Sequence, residues 1–216
     1  KAYGGRVIMY DRYAESREAI GADLATRKQA HLIKPFDDFR VIAGQGTVGL
    51  EIATQAAAKN LTPDAIICCC GGGGLIAGMS IAASDMIPGV DIWAAEPEFY
   101  DDTRRSLASG KIETADITMP SICDSIVTAQ PGEITFPINK KLLSGSAVIT
   151  DRDALQAVAT AFKHLKIIIE PGGAAALAAV LTGQYPAGAK TGVAVASGGN
   201  IDAPMFQRAL DEGPLF

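Results

Sequence analysis

Apolar and polar positions along the chain fall into alternating blocks of strand-like and helix-like period. Arg6–Tyr10 reads as a strand. Over Glu15–Gln29, Ile20 and Leu24 stand four apart among Ala19, Ala22 and Ala30, a spacing that predicts an amphipathic helix. His31–Ile33 reads as a short strand, and Pro35-Phe36-Asp37-Asp38 as a turn. Arg40–Ala43 leads into a glycine-rich turn, Gly44-Gln45-Gly46-Thr47, and then an alanine-rich helix to about Lys59. Asp64–Cys70 is continuously apolar, as in a parallel strand buried on both faces. A helix to about Asp85, a strand at Val90–Ala95 and a helix near Asp101–Ser109 follow. From Lys111 to Ser146 the pattern breaks, with Pro120, Pro131 and Pro137 inside it; an ordered loop of that length is usually functional. Regularity returns with a strand at Ala147–Ile149. Thr150 and Asp153 then come close to a capping box for a helix reaching about Lys163. The apolar Ile167–Ile169 meets Glu170-Pro171-Gly172-Gly173, which opens another alanine-rich helix. Thr191–Ala196 is a strand that runs into Ser197-Gly198-Gly199-Asn200. Strands separated by helices predict an α/β fold with a parallel sheet flanked by helices.

Composition narrows the picture. With 48% hydrophobic and 20% charged residues in 216, the chain can bury a sizeable core and is not mainly disordered. A net charge of −5 argues against non-specific nucleic-acid binding, which needs a basic face. No apolar run reaches the roughly 18–20 residues of a membrane span. The opening Lys1–Tyr10 shows no signal-peptide pattern and reads as a helix end, a glycine turn and a strand, so the chain is expected to begin in mid-fold. Cys68-Cys69-Cys70 occupy successive strand positions that point to opposite faces, unlike a zinc knuckle or a disulfide framework. They read as small buried hydrophobes in a reducing compartment, Cys123 reads as a packing thiol, and His31 and His164 as structural or solvent-facing.

Chemistry in an open α/β sheet collects at the carboxyl ends of its strands, where Gly44–Thr47, Gly71–Gly74 and Ser197–Asn200 are expected. Gly71, Gly72, Gly73 and Gly74 leave a buried strand and open a helix. Without Cβ atoms their N–H groups can converge on an anion, and the helix N-terminus adds partial positive charge. The plainer alternative is a turn that lets helix and strand pack closely. Gly72-x-Gly74-x-x-Ala77 with Glu96 at the next strand end also satisfies a dinucleotide fingerprint, which keeps an NAD-binding module open. The Ser197 hydroxyl can meet a ring nitrogen, or cap the last helix. Glu170 is either an acid of the site or a residue favouring a helix N-terminus. Glu96 and Asp102, six residues apart with the Tyr100 carbonyl between, can share a hard cation, or be no more than an acidic helix start.

Taken together, Pro35–Asp38, Val41–Ile52, the tetraglycine run, Ala94-Ala95-Glu96-Pro97, Ile169–Ala174 and Ser197–Asn200 resemble the serine/threonine dehydratase and serine racemase family, pyridoxal-phosphate enzymes of fold type II (tryptophan synthase beta-like). The resemblance implies that Gly71–Gly74 hold the cofactor phosphate, Ser197 the pyridine nitrogen, and Glu170 a place near the ring. It also implies that Glu96, Tyr100 and Asp102 bind Mg2+, Ca2+ or Mn2+. The implied reaction is β-elimination of threonine or serine to a 2-oxo acid and ammonia, with a serine or hydroxyaspartate racemase/dehydratase as the near alternative and an inactive fragment as another. A cytoplasmic homodimer is implied as well. By the same resemblance, residues 1–42 finish the small domain and 43–216 form most of the large one, with the N-terminal part and a carboxyl-terminal regulatory domain missing. Two departures stand out. Cys123-Asp124-Ser125 replaces the family's Ala-Asp-Gly, and none of the ten lysines has the Ser-x-Lys-x-Arg context of the Schiff-base lysine.

Overall fold

The computed structural model describes residues 4–11, 14–186 and 188–216. Residues Ala65–Cys69 form β1, and every side chain in it is buried, as its unbroken apolar run requires. It lies inside a parallel sheet of order β3-β2-β1-β4, with β2 at Asp91–Pro97, β3 at Gly145–Ile149 and β4 at Gly192–Ala194. Register pairs Cys69 with Ala95, Ala95 with Ala147, and Ile67 with Ala194, so the strands end close together. The parallel α/β architecture anticipated from the alternation is present.

The chain divides into two compact units, Lys1–Lys34 and Pro35–Phe216. Position 42/43 lies inside a helix that runs unbroken from Phe39 to Ala58. In the first unit, α1 (Arg17–Lys28) starts where Ser16 accepts the Ala19 N–H and ends at Gln29 in the left-handed region. The strands anticipated at Arg6–Tyr10 and His31–Ile33 do not form. A ladder needs a second strand, and the described sheet takes in neither segment; Met9 and Ile33 are exposed.

In the second unit, α2 (Phe39–Ala58) is capped by the Asp38 carboxylate. It runs straight through Gly44–Thr47, so the glycine turn expected there is not a turn. Of these residues Gly46 faces the next helix, where a Cβ would lie 3.4 Å from the Gly78 carbonyl oxygen. Against α2 lies α3 (Gly74–Met86), and the two backbones touch. A Cβ on Gly78 would come within 2.1 Å of the Ile42 carbonyl oxygen, and one on Gly49 within 2.3 Å of the Met79 carbonyl oxygen. Gly44, by contrast, faces open space.

After β2 come α4 (Asp102–Ser109) and a long irregular stretch that contains a helix the sequence reading missed, α5 (Thr135–Leu142). Pro137 argued against a helix there. It sits in the first turn, where its missing N–H would have had no partner anyway. The capping box at Thr150 and Asp153 forms as expected and opens α6 (Asp151–Thr160), which ends in a π turn at Ala161–Leu165. Ile167–Ile169 joins no sheet. α7 (Ala175–Leu181) packs on β1, β2 and β3, with α6 behind it and α8 (Ala203–Glu212) against α6. Among the described residues no helix is long and apolar enough to cross a membrane. The four cysteines are free and buried. Burial pushes the Cys123 thiol up to about 12. Burial and the neighbouring Glu96 charge hold the Cys70 thiol well above the usual range.

Two glycine substitutions separate packing from propensity. G78A forces a methyl group into fixed backbone and should cost roughly 1–3 kcal/mol. G44A, on an open helix face, should gain roughly 0.5–1 kcal/mol. Thermal denaturation of the two variants beside the parent checks the opposite signs.

Candidate functional site

β1 delivers Gly71–Gly74 at its carboxyl end, and α3 begins at Gly74 with Gly73 as its N-cap residue. None of the four glycine N–H groups donates to an acceptor among the described residues. All four positions also exclude a side chain. A Cβ at Gly71 would press on Ile126, at Gly72 on the Phe36 ring, at Gly73 on the Asn139 amide, and at Gly74 on the Phe36 backbone. Gly73 has φ of 89°, which a side chain would oppose as well. The sequence allows either close packing or anion binding at this turn. The geometry makes them compatible: packing occupies the space where Cβ atoms would lie, and the N–H groups stay unspent. Their partial positive charge adds to that of the α3 N-terminus.

Beside this turn, β4 ends and the chain enters Ser197-Gly198. The Ser197 Oγ lies 3.2 Å from the Cys69 Sγ at the end of β1. Ser197 does not cap the last helix, because Asp202 accepts the Met205 N–H at 2.7 Å and does that work for α8. The Glu170 N–H donates to the Gly198 carbonyl at 2.9 Å. The Glu170 carboxylate lies against Gly198, where a Cβ would be 2.6 Å from Oε1. The long irregular stretch supplies cover. Its Ser125 Oγ packs on Gly172, its Ile126 on Gly71, and Asp151 anchors it by accepting from the Ser121 hydroxyl at 2.9 Å and the Ile122 N–H. Gly71–Gly74, Glu170 and Ser197 thus come together around the ends of β1 and β4. Gly44–Thr47 takes no part.

The acidic group forms a second cluster at the end of β2. Glu96 is fully buried and accepts from the Thr103 N–H at 2.7 Å, the Arg104 N–H at 2.9 Å and the Ser146 hydroxyl at 2.6 Å. Fully buried beneath the start of α4 and Ser146, it presents no surface to a ribose hydroxyl, which removes the structural basis of the dinucleotide reading. Asp102 is 1% exposed, and its Oδ2 has no partner. Burial raises the Glu96 carboxyl to about 7. Burial, with the Glu96 charge second, raises Asp102 to about 8. Between them Phe99 takes φ of 70°, a region bulky side chains rarely adopt. It belongs to the tight turn that brings the buried Tyr100 between the two acids in sequence. The Tyr100 hydroxyl donates to the Met119 carbonyl at 2.7 Å.

Sequence reasoning missed the residues that shape the glycine turn from outside. Phe36 and Asp37 stood in a turn signal and a family-like segment without a role at this turn, and Thr135, Asn139 and Ile126 only in the irregular stretch. Their polar and aromatic identities carry no periodic signal.

Comparison with known proteins places this arrangement. Residues 1–198 match the model of a family described as pyridoxal-phosphate dependent enzyme. Serine racemase of Dictyostelium discoideum is 38% identical over 213 residues, covering 97% of this chain and 64% of that protein. The crystal structure of a threonine deaminase from T.th. matches with a TM-score of 0.81 at 38% identity, over 86% of this chain and 62% of that one. Maize serine racemase matches with a TM-score of 0.85 at 32% identity, over 98% and 64%. The chain therefore spans somewhat under two-thirds of the length of these relatives. By its glycine turn, its parallel sheet and this match over most of its length, the chain belongs to the family of pyridoxal-phosphate dependent enzymes of fold type II.

Proposed function

We propose that these residues form the cofactor-holding part of an enzyme that eliminates the β-hydroxyl of threonine or serine, releasing a 2-oxo acid and ammonia. The observation that carries the reading is the set of unspent N–H groups of Gly71–Gly74 beside the neutral hydroxyl of Ser197, at adjoining strand ends. Bound there, pyridoxal phosphate supplies a conjugated electron sink that acidifies the Cα–H of an amino acid. Gly71, Gly72, Gly73 and Gly74 would hold its phosphate, Ser197 its ring nitrogen, and Glu170 would lie near the ring. A hydroxyl at the ring nitrogen, in place of a carboxylate, makes the sink weaker, which suits prompt loss of a β-substituent. None of the ten lysines stands in the Ser-x-Lys-x-Arg context. In this reading the cofactor-bearing lysine lies outside these 216 residues, and they are inactive alone. Racemisation is the second reading, favoured by the relatives that are serine racemases.

The same reading gives Glu96, Asp102 and the Tyr100 carbonyl a divalent cation, Mg2+, Ca2+ or Mn2+. Among the described residues no cluster of three or more His, Cys, Asp or Glu side chains is placed to hold a metal. A cation here would rest on two carboxylates and main-chain oxygen, a donor set suited to a hard ion. The fit is supported by the buried, unpartnered Asp102 Oδ2 and by two neighbouring carboxyls whose charge a cation would balance. A cytoplasmic homodimer completes the proposal; exposed Phe39, Leu50 and Ile81 on α2 and α3 are compatible with an apolar contact.

Two experiments test it. Full-length protein supplied with pyridoxal phosphate should show the visible absorbance of bound cofactor and form a 2-oxo acid from L-threonine or L-serine. S197A should lose at least roughly tenfold in kcat, as expected when one group that tunes the reacting centre is removed. Absence of both absorbance and 2-oxo acid would rule the function out, and D-serine as the main product on chiral analysis would decide for racemisation. Separately, Mg2+, Ca2+ or Mn2+ should raise the Tm of the full-length protein by several degrees, on the order expected for a saturating ligand. D102N should abolish that increment; an equal increment in D102N would remove the cation from this site.

A further inference from the structure

The helix α5 takes no part in the reading above, yet two of its side chains reach the glycine turn. Thr135 and Asn139 stand four residues apart, on one helix face, and both are fully buried. The Thr135 hydroxyl donates to the Gly72 carbonyl at 2.6 Å and accepts the Gly132 N–H at 3.0 Å. The Gly132 N–H also approaches the Gly72 carbonyl, at 3.2 Å. The Asn139 Nδ2 donates to the Gly73 carbonyl at 3.4 Å, which also accepts the Ala77 N–H at 2.9 Å as the first bond of α3. The start of α5 is itself tied down, since Asp37 accepts the Ile134 and Thr135 N–H groups at 2.8 and 3.3 Å.

Asn139 carries a cost. Its Oδ1 is buried with no partner, and an unpaired buried acceptor is unfavourable where an apolar side chain would avoid the loss. Its amide nevertheless occupies the space a side chain at Gly73 would need. The consequence lies on the other edge of the peptide planes. In a trans peptide, C=O and N–H point in opposite directions. The Gly72 carbonyl shares its plane with the Gly73 N–H, and the Gly73 carbonyl with the Gly74 N–H. Carbonyls drawn toward α5 therefore turn both N–H groups away from it, and neither group donates to any described residue. A hydrogen bond to the carbonyl also polarises the peptide and strengthens its N–H as a donor.

We propose that Thr135 and Asn139 are positioning residues that hold the Gly72 and Gly73 carbonyls so that the Gly73 and Gly74 N–H groups are aimed at the phosphate of the cofactor. This rests on the proposed function, which assigns the phosphate to that turn, and it adds that phosphate affinity is set in part by donors on the far side of the peptides.

The test compares two ligands that differ by the phosphate. Pyridoxal 5′-phosphate and pyridoxal are titrated into full-length parent, T135V, T135S and N139L, with a thermal melt of each. T135V and N139L should each bind pyridoxal 5′-phosphate roughly tenfold more weakly, the scale of one lost buried hydrogen bond. Their affinity for pyridoxal should stay at the parent value, and T135S should restore tight binding of the phosphorylated ligand. Unchanged affinity of N139L and T135V for pyridoxal 5′-phosphate overturns the proposal, as does an equal loss for both ligands. Where T135V fails to fold, N139L, which keeps the volume and removes the polarity, decides alone. A parent that binds neither ligand overturns the proposed function, and this inference with it; a parent that binds both, with unaffected variants, overturns the inference alone.

Discussion

A strand with no exposed side chain must be covered on both faces before it can hold its place, and β1 is such a strand. Its five positions are all buried between β2 and β4, with α7 and α3 packed against it. That demand explains why the rest of the second unit is arranged as layers around one sheet. It also determines where the chemistry lies. Where β1 ends, its chain leaves against Ile126, Phe36 and Asn139 with no room for a Cβ, and glycine is the residue that fits. The glycine turn is thus a consequence of how β1 is buried.

The glycines do two different jobs in this protein, and backbone geometry separates them. In α2 and α3 they let two helices approach until backbone meets backbone, as at Gly78 and Ile42. In Gly71–Gly74 they admit Phe36, Ile126 and Asn139 on one side, while the N–H groups remain uncommitted on another. The second arrangement is anion-seeking because uncommitted N–H groups gather at a helix N-terminus, where each adds to the same potential.

The acidic cluster obeys the opposite electrostatics. Glu96 is buried but supplied with donors from the start of α4 and from Ser146, whereas Asp102 has one oxygen left without any. Burial raises both carboxyls, and their proximity to one another raises Asp102 further. Two such groups in one place are unfavourable as a pair of bare charges. A helix N-terminus offsets part of that, and the Phe99 turn shows the backbone itself departing from its easiest conformation nearby.

Much of this was legible in the residues. The all-apolar run of β1, the Thr150 capping box and the α1 periodicity are local signals, and local signals survive into the structure because they depend on neighbours a few positions away. That Gly71–Gly74, Glu170 and Ser197 meet in space was legible as well, since strand ends in a parallel sheet converge. What the sequence could not show depends on partners distant along the chain. Gly44–Thr47 looked like a turn because a glycine needed for a helix–helix contact and a glycine needed for a turn are the same residue in one dimension. Pro137 looked like a breaker because its place in the first turn of α5 is set by Asp37, about a hundred residues away. Arg6–Tyr10 looked like a strand, but a short apolar run specifies only a willingness to pair, and pairing requires a second strand. The residues by themselves determined the layered α/β class and which groups gather at the strand ends. Only the tertiary structure decided which way the Gly72 and Gly73 peptides face, because a peptide plane is oriented by the donors packed against it.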